Sequence, residues 1–202
     1  MKEIRLERIE RKIVEIPITG ISPLIPHNWS EKAKRLMRTA QGIAVDGASS
    51  PGVKAKRDPK NPLEEAEASL YRLDDGRPGM PAVAFKAALV GAARDFTDLT
   101  LVVLKQSVFV HGDGVEQLVP IDCEMTLRED MPRNANGNAD LRYRYALWPW
   151  RAALQVEFKA TMLDESSIVA LVDAAGDGGI GDWRPSAPKS STGMYGRFHV
   201  EA

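Results

Sequence analysis

The chain has 202 residues, of which 44% are hydrophobic, and a formal net charge of −1. This length supports one domain over residues 1–202. The near-neutral charge excludes attraction to nucleic acid through the global charge of the protein, so any basic surface has to be local. A single cysteine, Cys123, excludes a disulfide within the chain, and the lack of an apolar leader or of an apolar run of about 20 residues predicts a cytoplasmic protein without membrane association.

The first predicted element is a strand over residues 10–22, ERKIVEIPITGIS. Its apolar residues alternate and occupy both faces, which is typical of a central strand. Pro17 lies within it and cannot donate to a β-ladder, so we expect a bulge or an edge position there.

Residues 23–76 are predicted to form a basic, partly mobile insertion. A helix capped by Ser30 is expected over residues 30–41, and a second short helix over 63–73. Residues 46–62 are rich in Gly, Ser and Pro and have little to bury, which is typical of a mobile loop. The local positive charge would attract backbone phosphates, although a solvated loop is the alternative. Its carriers are Lys32, Lys34, Arg35, Arg38, Lys54, Lys56, Arg57 and Lys60.

The middle of the chain is predicted to contain one helix and two strands. The helix spans residues 77–96, with Gly79 at a turn and Pro81 in the first helical turn. Residues 99–110 predict a buried strand, and the alternation over 117–127 predicts another. The helix places four apolar residues on one face at helical spacing: Phe85, Leu89, Ala92 and Phe96.

The remaining chain is predicted to alternate between loops and regular elements. We expect a projecting loop or hairpin at 128–150, a strand at 152–163, a helix at 164–176 that begins at Asp164 or Ser166, a glycine-rich loop at 176–193 and a final strand at 194–201. With one middle strand assigned to an inserted hairpin, the order becomes β-α-β-β-α-β. This predicts an α+β, ferredoxin-like (RRM-type) core with a large insertion after the first strand and an inserted hairpin. Such a core leaves one sheet face open, where RNA-recognition modules bind single strands.

Three segments carry a resemblance to a known family. Residues 79–94, GMPAVAFKAALVGAAR, resemble the helix entry of the RAMP superfamily, the RNA-binding proteins of CRISPR effector complexes. Residues 178–200 resemble the glycine-rich loop that these proteins place before their last strand, and 18–24 are similar to the end of their first strand. The resemblance implies a backbone subunit that polymerises along a guide RNA. The loop departs from the family pattern in its length and in the DWRP of Asp182–Pro185, which leaves a phage-borne or stand-alone relative open.

The glycine-rich loop is the first candidate site. Backbone N–H groups of a loop containing Gly179 and Gly181 can form a concave nest that holds phosphate, and glycine allows the close approach. Arg184 would add a charge-assisted contact, and Trp183 would stack on a base. The alternative is that the glycines only permit a tight connection and that Trp183 plugs the edge of the core.

The second candidate site is the arginine-aromatic segment at 141–151, LRYRYALWPWR. Aromatic faces and guanidinium groups are what single-strand binding requires, because every base has a π-face. Strand alternation would place Tyr143 and Tyr145 on one face and Arg142 and Arg144 on the other, so they cannot all contact one ligand. The alternative is that the aromatic residues fill the core or an interface between copies.

The sequence thus predicts a non-catalytic protein that binds single-stranded nucleic acid, RNA in preference to DNA, without cofactor or metal. We expect a homo-oligomer or filament, with CRISPR effector subunits as further partners. The expected contacts are Lys54, Lys56, Arg57, Lys86, Arg142, Arg144, Trp148, Gly179, Gly181, Trp183, Arg184, Lys189 and Arg197. The alternatives are a metal-independent endoribonuclease that uses His199 or His27, and a structural or inhibitory interaction protein that binds no nucleic acid.

Overall fold

The computed structural model describes residues 8–29, 31–43, 61–132, 137, 139, 141–188 and 191–201. The strands are β1 Arg11–Gly20, β2 Tyr71–Arg72, β3 Pro78–Pro81, β4 Val108–His111, β5 Leu118–Pro120, β6 Asp122–Asp130, β7 Arg142–Lys159 and β8 Phe198–Val200. The helices are α1 Glu31–Ala40, α2 Pro62–Ala68, α3 Ala82–Ala92, α4 Leu101–Ser107 and α5 Glu165–Gly178, and a 3₁₀ turn at Ala93–Asp95 follows α3.

The main sheet has the strand order β4-β7-β1-β8, with β6 also paired to β7, and every pair is antiparallel. β1 is therefore a central strand, as its apolar residues on both faces predict. Pro17 is accommodated because it lies one residue before the pairing with β8 begins at Ile18, and its carbonyl accepts a hydrogen bond from the Glu201 amide at 3.0 Å. The helices and antiparallel sheets confirm the α+β class.

β7 organises the main sheet because its 18 residues serve two different sets of neighbours. Its C-terminal half, from Arg151 to Lys159, pairs with β1 along one edge and with β4 along the other. Its N-terminal half, from Arg142 to Arg151, pairs with β6, so β6 and β7 form a hairpin that extends from the core.

The core lies between one face of the main sheet and the helices α3 and α5. Alternation along β7 buries Leu154, Val156 and Phe158 on that face, as the sequence pattern predicts. The two helices contribute large side chains that are almost fully buried, such as Phe85, Leu89, Ile168, Leu171 and Val172. Asp164 begins α5 by accepting a hydrogen bond from the Ser167 amide at 2.8 Å.

Three predicted boundaries of the helical regions are wrong. α5 does not end at Gly176 but at Gly178, where Gly179 caps it with a φ of 67°. α3 begins at Ala82 rather than before Pro81, because residues 78–81 pair with β2 and β5 as strand β3. The predicted single helix through Phe96 gives way to the 3₁₀ turn after Ala92.

The predicted strand over residues 99–110 is also wrong in its first half. Residues 101–107 form α4, and Thr100 caps it by accepting a hydrogen bond from the Val103 amide at 3.2 Å. A short apolar run fits a buried helix as well as a buried strand, and Leu101 and Leu104 have helical spacing. Only residues 108–111 pair as a strand, β4.

The predicted strand over residues 117–127 is divided between two sheets. β5 pairs with β3 in a small sheet of order β2-β3-β5, whereas β6 joins the main sheet. The buried Ile121 lies at the division. The register of β6 shifts between Cys123 and Met125, and Met125 and Leu127 are exposed rather than buried. Alternation alone does not reveal such a division, because both pieces keep the same period.

Among the described helices, none combines the length and the apolar character that crossing a bilayer requires.

Candidate nucleic-acid interface

The β6–β7 hairpin and the glycine-rich loop meet in a layer of charged and aromatic side chains. Arg128 of β6 and Arg144 of β7 are cross-strand partners, so both side chains project from the same face of the hairpin. The glycine-rich loop lies over this face. It continues past residue 193, because β8 begins at Phe198 and not at the predicted residue 194, and it contributes Asp182, Trp183 and Tyr195. We call these five residues the arginine-aromatic layer.

An ion pair between Arg144 and Asp182 lies at the centre of the layer. The Arg144 side chain is 3% exposed and its Nη1 donates a hydrogen bond to Asp182 Oδ2, while Nη2 is buried and has no hydrogen-bond partner among the residues that the structure describes. His27 Nδ1 lies 3.4 Å from the same carboxylate oxygen. The hydrogen bond from His27 and the charge of Arg144 hold the pKa of Asp182 well below its usual range, although burial acts in the opposite direction.

The two aromatic rings of the loop stack with the arginines of the hairpin. The ring centroids of Trp183 and Tyr195 are 6.0 Å apart at 54°. The guanidinium carbon of Arg128 lies 4.9 Å from the Tyr195 ring and 5.7 Å from the Trp183 ring, and that of Arg144 lies 4.9 Å from Trp183. Arg128 also forms a 2.7 Å ion pair with Asp130. Each aromatic ring of the layer thus already has a cation of this chain beside it.

The glycines of the loop allow close approach between segments of this chain. A Cβ on Gly196 would lie 1.9 Å from the Ile180 carbonyl oxygen, and a Cβ on Gly181 would lie 2.7 Å from the Ile25 carbonyl oxygen. Both residues, like Gly179, have φ near +70°, which only glycine adopts freely. Backbone hydrogen bonds from Asp182 to Ile25 and from loop residue 196 to Pro23 hold the loop against the segment that follows β1.

Several predicted contact residues lie in or beside this layer. Arg184 is half-buried, and its Nη1 donates to the Gly181 carbonyl at 2.9 Å while its Nε donates to Ser186 Oγ at 3.1 Å. Arg197, at the end of the loop, pairs with Asp177 at 2.7 Å. Arg142 lies on the same hairpin face as Arg144, opposite Asp130 in the register.

Other predicted contact residues lie elsewhere. Lys86 extends from α3 toward β4, where its Nζ lies 3.9 Å above the Phe109 ring and donates to the Lys105 carbonyl. Trp148 is 43% exposed on β7. Tyr143 and Tyr145 project from the hairpin face opposite the arginines, where α2 packs against β7. Lys54, Lys56, Arg57 and Lys189, with Lys60 and the cap Ser30, lie outside the described residues.

The three histidines are separated, and His27 is the one that joins the arginine-aromatic layer. His111 Nε2 lies 2.9 Å from Glu157 Oε2 on the open face of the main sheet, and the exposed His199 lies opposite Thr19 on β8. No cluster of three or more metal-ligating side chains occurs within the described ranges. Burial, and next the charge of Asp122, raise the pKa of Cys123 to about 11, so its thiol is a poor nucleophile.

Sequence reasoning did not select Arg128, Asp182, His27 and Tyr195 as members of one site. Arg128 could have been found by pairing the two arms of the predicted hairpin, because this places it beside Arg144. The ion pair of Asp182 with a residue 38 positions earlier depends on tertiary packing, which one sequence does not reveal.

No protein-family model matches the chain, and no curated protein sequence matches it. Among solved structures, it is similar to a chain in the cryo-EM structure of the Type III-B Cmr-beta complex bound to cognate target RNA, with a TM-score of 0.41 and 13% sequence identity. The match covers 95% of this chain and 59% of that chain, so this chain spans about three fifths of the protein it matches. The likeness is weak.

Proposed function

We propose that the chain is a non-catalytic protein that binds single-stranded nucleic acid, RNA in preference to DNA, through the surface around the arginine-aromatic layer. The observation that carries the proposal is the convergence of Arg128, Arg144 and Arg184 with Trp183 and Tyr195 where the hairpin meets the loop. Guanidinium groups attract phosphates, and aromatic faces stack on bases of any identity.

The proposal gives the buried arginine and the two surface arginines different roles. Arg144 is nearly fully buried and holds the loop through Asp182, so it is a positioning residue. Arg184 and Arg197 lie at the loop surface, and their hydrogen bonds leave guanidinium donors for a phosphate. Trp183 is the proposed stacking residue, with its ring oriented by Arg144 and Tyr195.

We further propose a ferredoxin-like core of the RAMP kind. The strand order β4-β7-β1-β8 supports it, because α3 precedes β4 and α5 connects β7 to β8 on the same side of the sheet. We also propose that copies of the chain associate side by side along a nucleic-acid strand. This association is supported by β6, which carries the exposed Met125 and Leu127 beside its pairing with β7. Identifying the proteins that copurify with the chain distinguishes a CRISPR effector subunit from a stand-alone relative.

Fluorescence anisotropy with a labelled, mixed-sequence single-stranded RNA tests the binding. We expect affinity to fall steeply with salt, and Arg184→Gln to lower the slope of log K against log[salt] by about 0.7, the value for one phosphate contact on a single strand. Trp183→Ala should weaken binding roughly tenfold, because one stacked base contributes about 1–3 kcal/mol.

Arg94→Gln is the matched control, because it removes an exposed positive charge at the end of α3 without altering the layer. It should leave the slope and the affinity nearly unchanged. The absence of binding to any single strand at low salt would refute the proposal. A purified multimer whose ratio of absorbance at 260 and 280 nm shows no nucleic acid, and which binds none when it is added, would favour the structural or inhibitory alternative.

One observation favours a second candidate, a metal-independent endoribonuclease. His27 is half-exposed beside Asp182, so a nucleic-acid strand on the proposed surface would pass a histidine that a carboxylate orients. Incubation of RNA with the protein and with His27→Ala and His199→Ala separates the two functions. RNA that stays intact on the wild-type protein supports binding alone, and cleavage that is lost in one of the variants assigns the histidine.

A further inference from the structure

The main sheet has a fork along one edge of β7. β6 pairs with β7 as far as Arg151, and β4 begins to pair with it at Gln155. Residues 152–154 lie between these two partner strands. The chain leaves the small sheet here at Pro120 and enters β6 at Asp122, so the two sheets diverge and a groove opens beside β7.

This groove has a volume of about 480 Å³, within the range of roughly 300–1,000 Å³ that is typical of small-molecule sites. Its walls are mostly apolar and combine both sheets: Pro78, Pro120, Ile121, Met125, Ala152 and Ala153. Flat, rigid proline and short alanine side chains leave room for a planar group to lie against them.

Two arginines and one carboxylate give the groove its charge. Arg77 and Arg151 line it from different sheets, with side chains 61% and 70% exposed. Each has a carboxylate outside the groove, Asp75 at 2.7 Å and Glu201 at 3.6 Å. Such exposed ion pairs are weak, and a guanidinium has five N–H donors, so both arginines keep donors for an anion. The carboxylate in the lining is Asp122.

We propose that this groove binds one nucleotide unit of a single strand, with the base against the apolar walls and the phosphate between Arg77 and Arg151. An apolar slot with a cation at each side complements a ligand that has a planar body and one negative group. The inference deepens the proposed function and rests on it for the class of ligand. It adds a second contact region, away from the arginine-aromatic layer. A single nucleic-acid strand would cross the hairpin to reach both regions.

Cys123 provides a direct reporter of the groove. It is the only cysteine of the chain, it lines the groove, and it is half-buried there. Any alkylation of the protein by a thiol reagent therefore reports this one position. Because the raised pKa of the thiol makes the reaction slow, it is followed at alkaline pH with the reagent in large excess. A nucleotide in the groove covers the thiol and slows its modification.

The experiment measures the rate of Cys123 alkylation by N-ethylmaleimide with four additions: none, inorganic phosphate, adenosine or uridine monophosphate, and the mixed-sequence single-stranded RNA. We expect the nucleotides and the RNA to slow alkylation about tenfold at a concentration ten times their Kd, as simple occupancy requires. Inorganic phosphate should have little effect, because it lacks the base. Arg77→Gln and Arg151→Gln should each remove most of the protection.

Arg11→Gln is the matched control, because Arg11 is an exposed, ion-paired arginine on β1 outside the groove. It should retain full protection, and circular dichroism should show all variants folded. Lack of protection by both nucleotide and RNA overturns the inference, as does protection that both groove variants retain or that phosphate reproduces.

Anisotropy with the same RNA separates this inference from the proposed function. RNA binding without Cys123 protection means that the groove inference is wrong while the proposed function stands. Protection by a mononucleotide without RNA binding means that the groove binds a nucleotide while the proposed function is wrong. If neither protection nor RNA binding is seen, both the groove inference and the proposed function are refuted.

Discussion

The two halves of β7 are held by different kinds of interaction. The C-terminal half packs Leu154, Val156 and Phe158 against α3 and α5. The N-terminal half also buries Leu147 and Trp150 in the core, but its outer end places Arg144 against the glycine-rich loop through an ion pair and aromatic contacts. Apolar packing does not depend on ionisation or on charge screening, whereas ion pairs depend on both. The difference indicates that one strand combines a permanent core with a region whose stability responds to ionic conditions.

The largest expected effect comes from the C-terminal half, where the packing is apolar. Phe158→Ala removes an almost fully buried ring and should lower the free energy of unfolding by about 3–5 kcal/mol. Gln155→Ala, an exposed position on the same strand, should change it by less than about 0.5 kcal/mol. Urea unfolding followed by circular dichroism measures both. Equal effects at the two positions would mean that this half is not the permanent core.

The ion pair should give the next largest effect. Asp182→Asn leaves the Arg144 charge buried without its anionic partner, and we expect a loss of about 2 kcal/mol, less than the roughly 3–5 kcal/mol of a fully buried pair because Asp182 is partly exposed. The control Asp177→Asn breaks the exposed pair with Arg197 and should cost below about 1 kcal/mol. Adding Arg144→Met to Asp182→Asn should restore stability in urea unfolding, since no buried charge remains. If the double variant is less stable than Asp182→Asn, the charge is not the cause.

The same ion pair predicts a dependence on pH. The pKa of Asp182 is lowered in the folded protein, so its stabilisation is fully present above the ordinary aspartate pKa, near 3.9, and is lost as pH falls below that value. The difference in unfolding free energy between wild type and Asp182→Asn should therefore be constant near neutral pH and shrink below about pH 4. Urea unfolding across this range measures it. A difference that persists unchanged at about pH 3 would show that the carboxylate does not carry the effect.

The smallest expected effect concerns the stacking in the arginine-aromatic layer. Arg128→Lys keeps the charge but loses the planar contact with Trp183 and Tyr195, so we expect a loss of about 0.5–1 kcal/mol in urea unfolding. Arg11→Lys, at an exposed ion pair on β1, is the control and should be neutral within about 0.5 kcal/mol. Indistinguishable losses would mean that only charge matters at Arg128.

The predictable part of the fold is the part with strong local periodicity. Alternation located β1, the C-terminal half of β7 and β8, and the Asp164 cap located α5. The predicted bounds of the last two strands were too wide, since β7 ends at Lys159 and not at residue 163, and β8 begins at Phe198 and not at residue 194. The segment at 101–107 was misassigned because four apolar residues in a row fit a buried helix as well as a buried strand. The signal that favours the helix is Thr100, which caps it. The division at Ile121 was missed because nothing local distinguishes one sheet from another.

The candidate site was predictable only as separate pieces. The sequence identified Trp183 and Arg184 in a glycine-rich loop and Arg144 in an aromatic segment, but their contact depends on how the loop folds back over β7. Arg144 was expected to contact nucleic acid, but its guanidinium is only 3% exposed and binds Asp182 of this chain instead. The exposure of a charged residue depends on tertiary packing, which the local sequence pattern does not report.

The continuity of β7 has a consequence for how the chain tolerates change. Its 18 residues pair first with β6 and then with β1 and β4, and one inserted residue near Arg151 would turn the side chains on its far side to the opposite face. Arg144 would then point toward α2 and Tyr145 toward the loop. Insertions and deletions in the middle of β7 are therefore expected to prevent folding, because they would exchange the two faces of the strand.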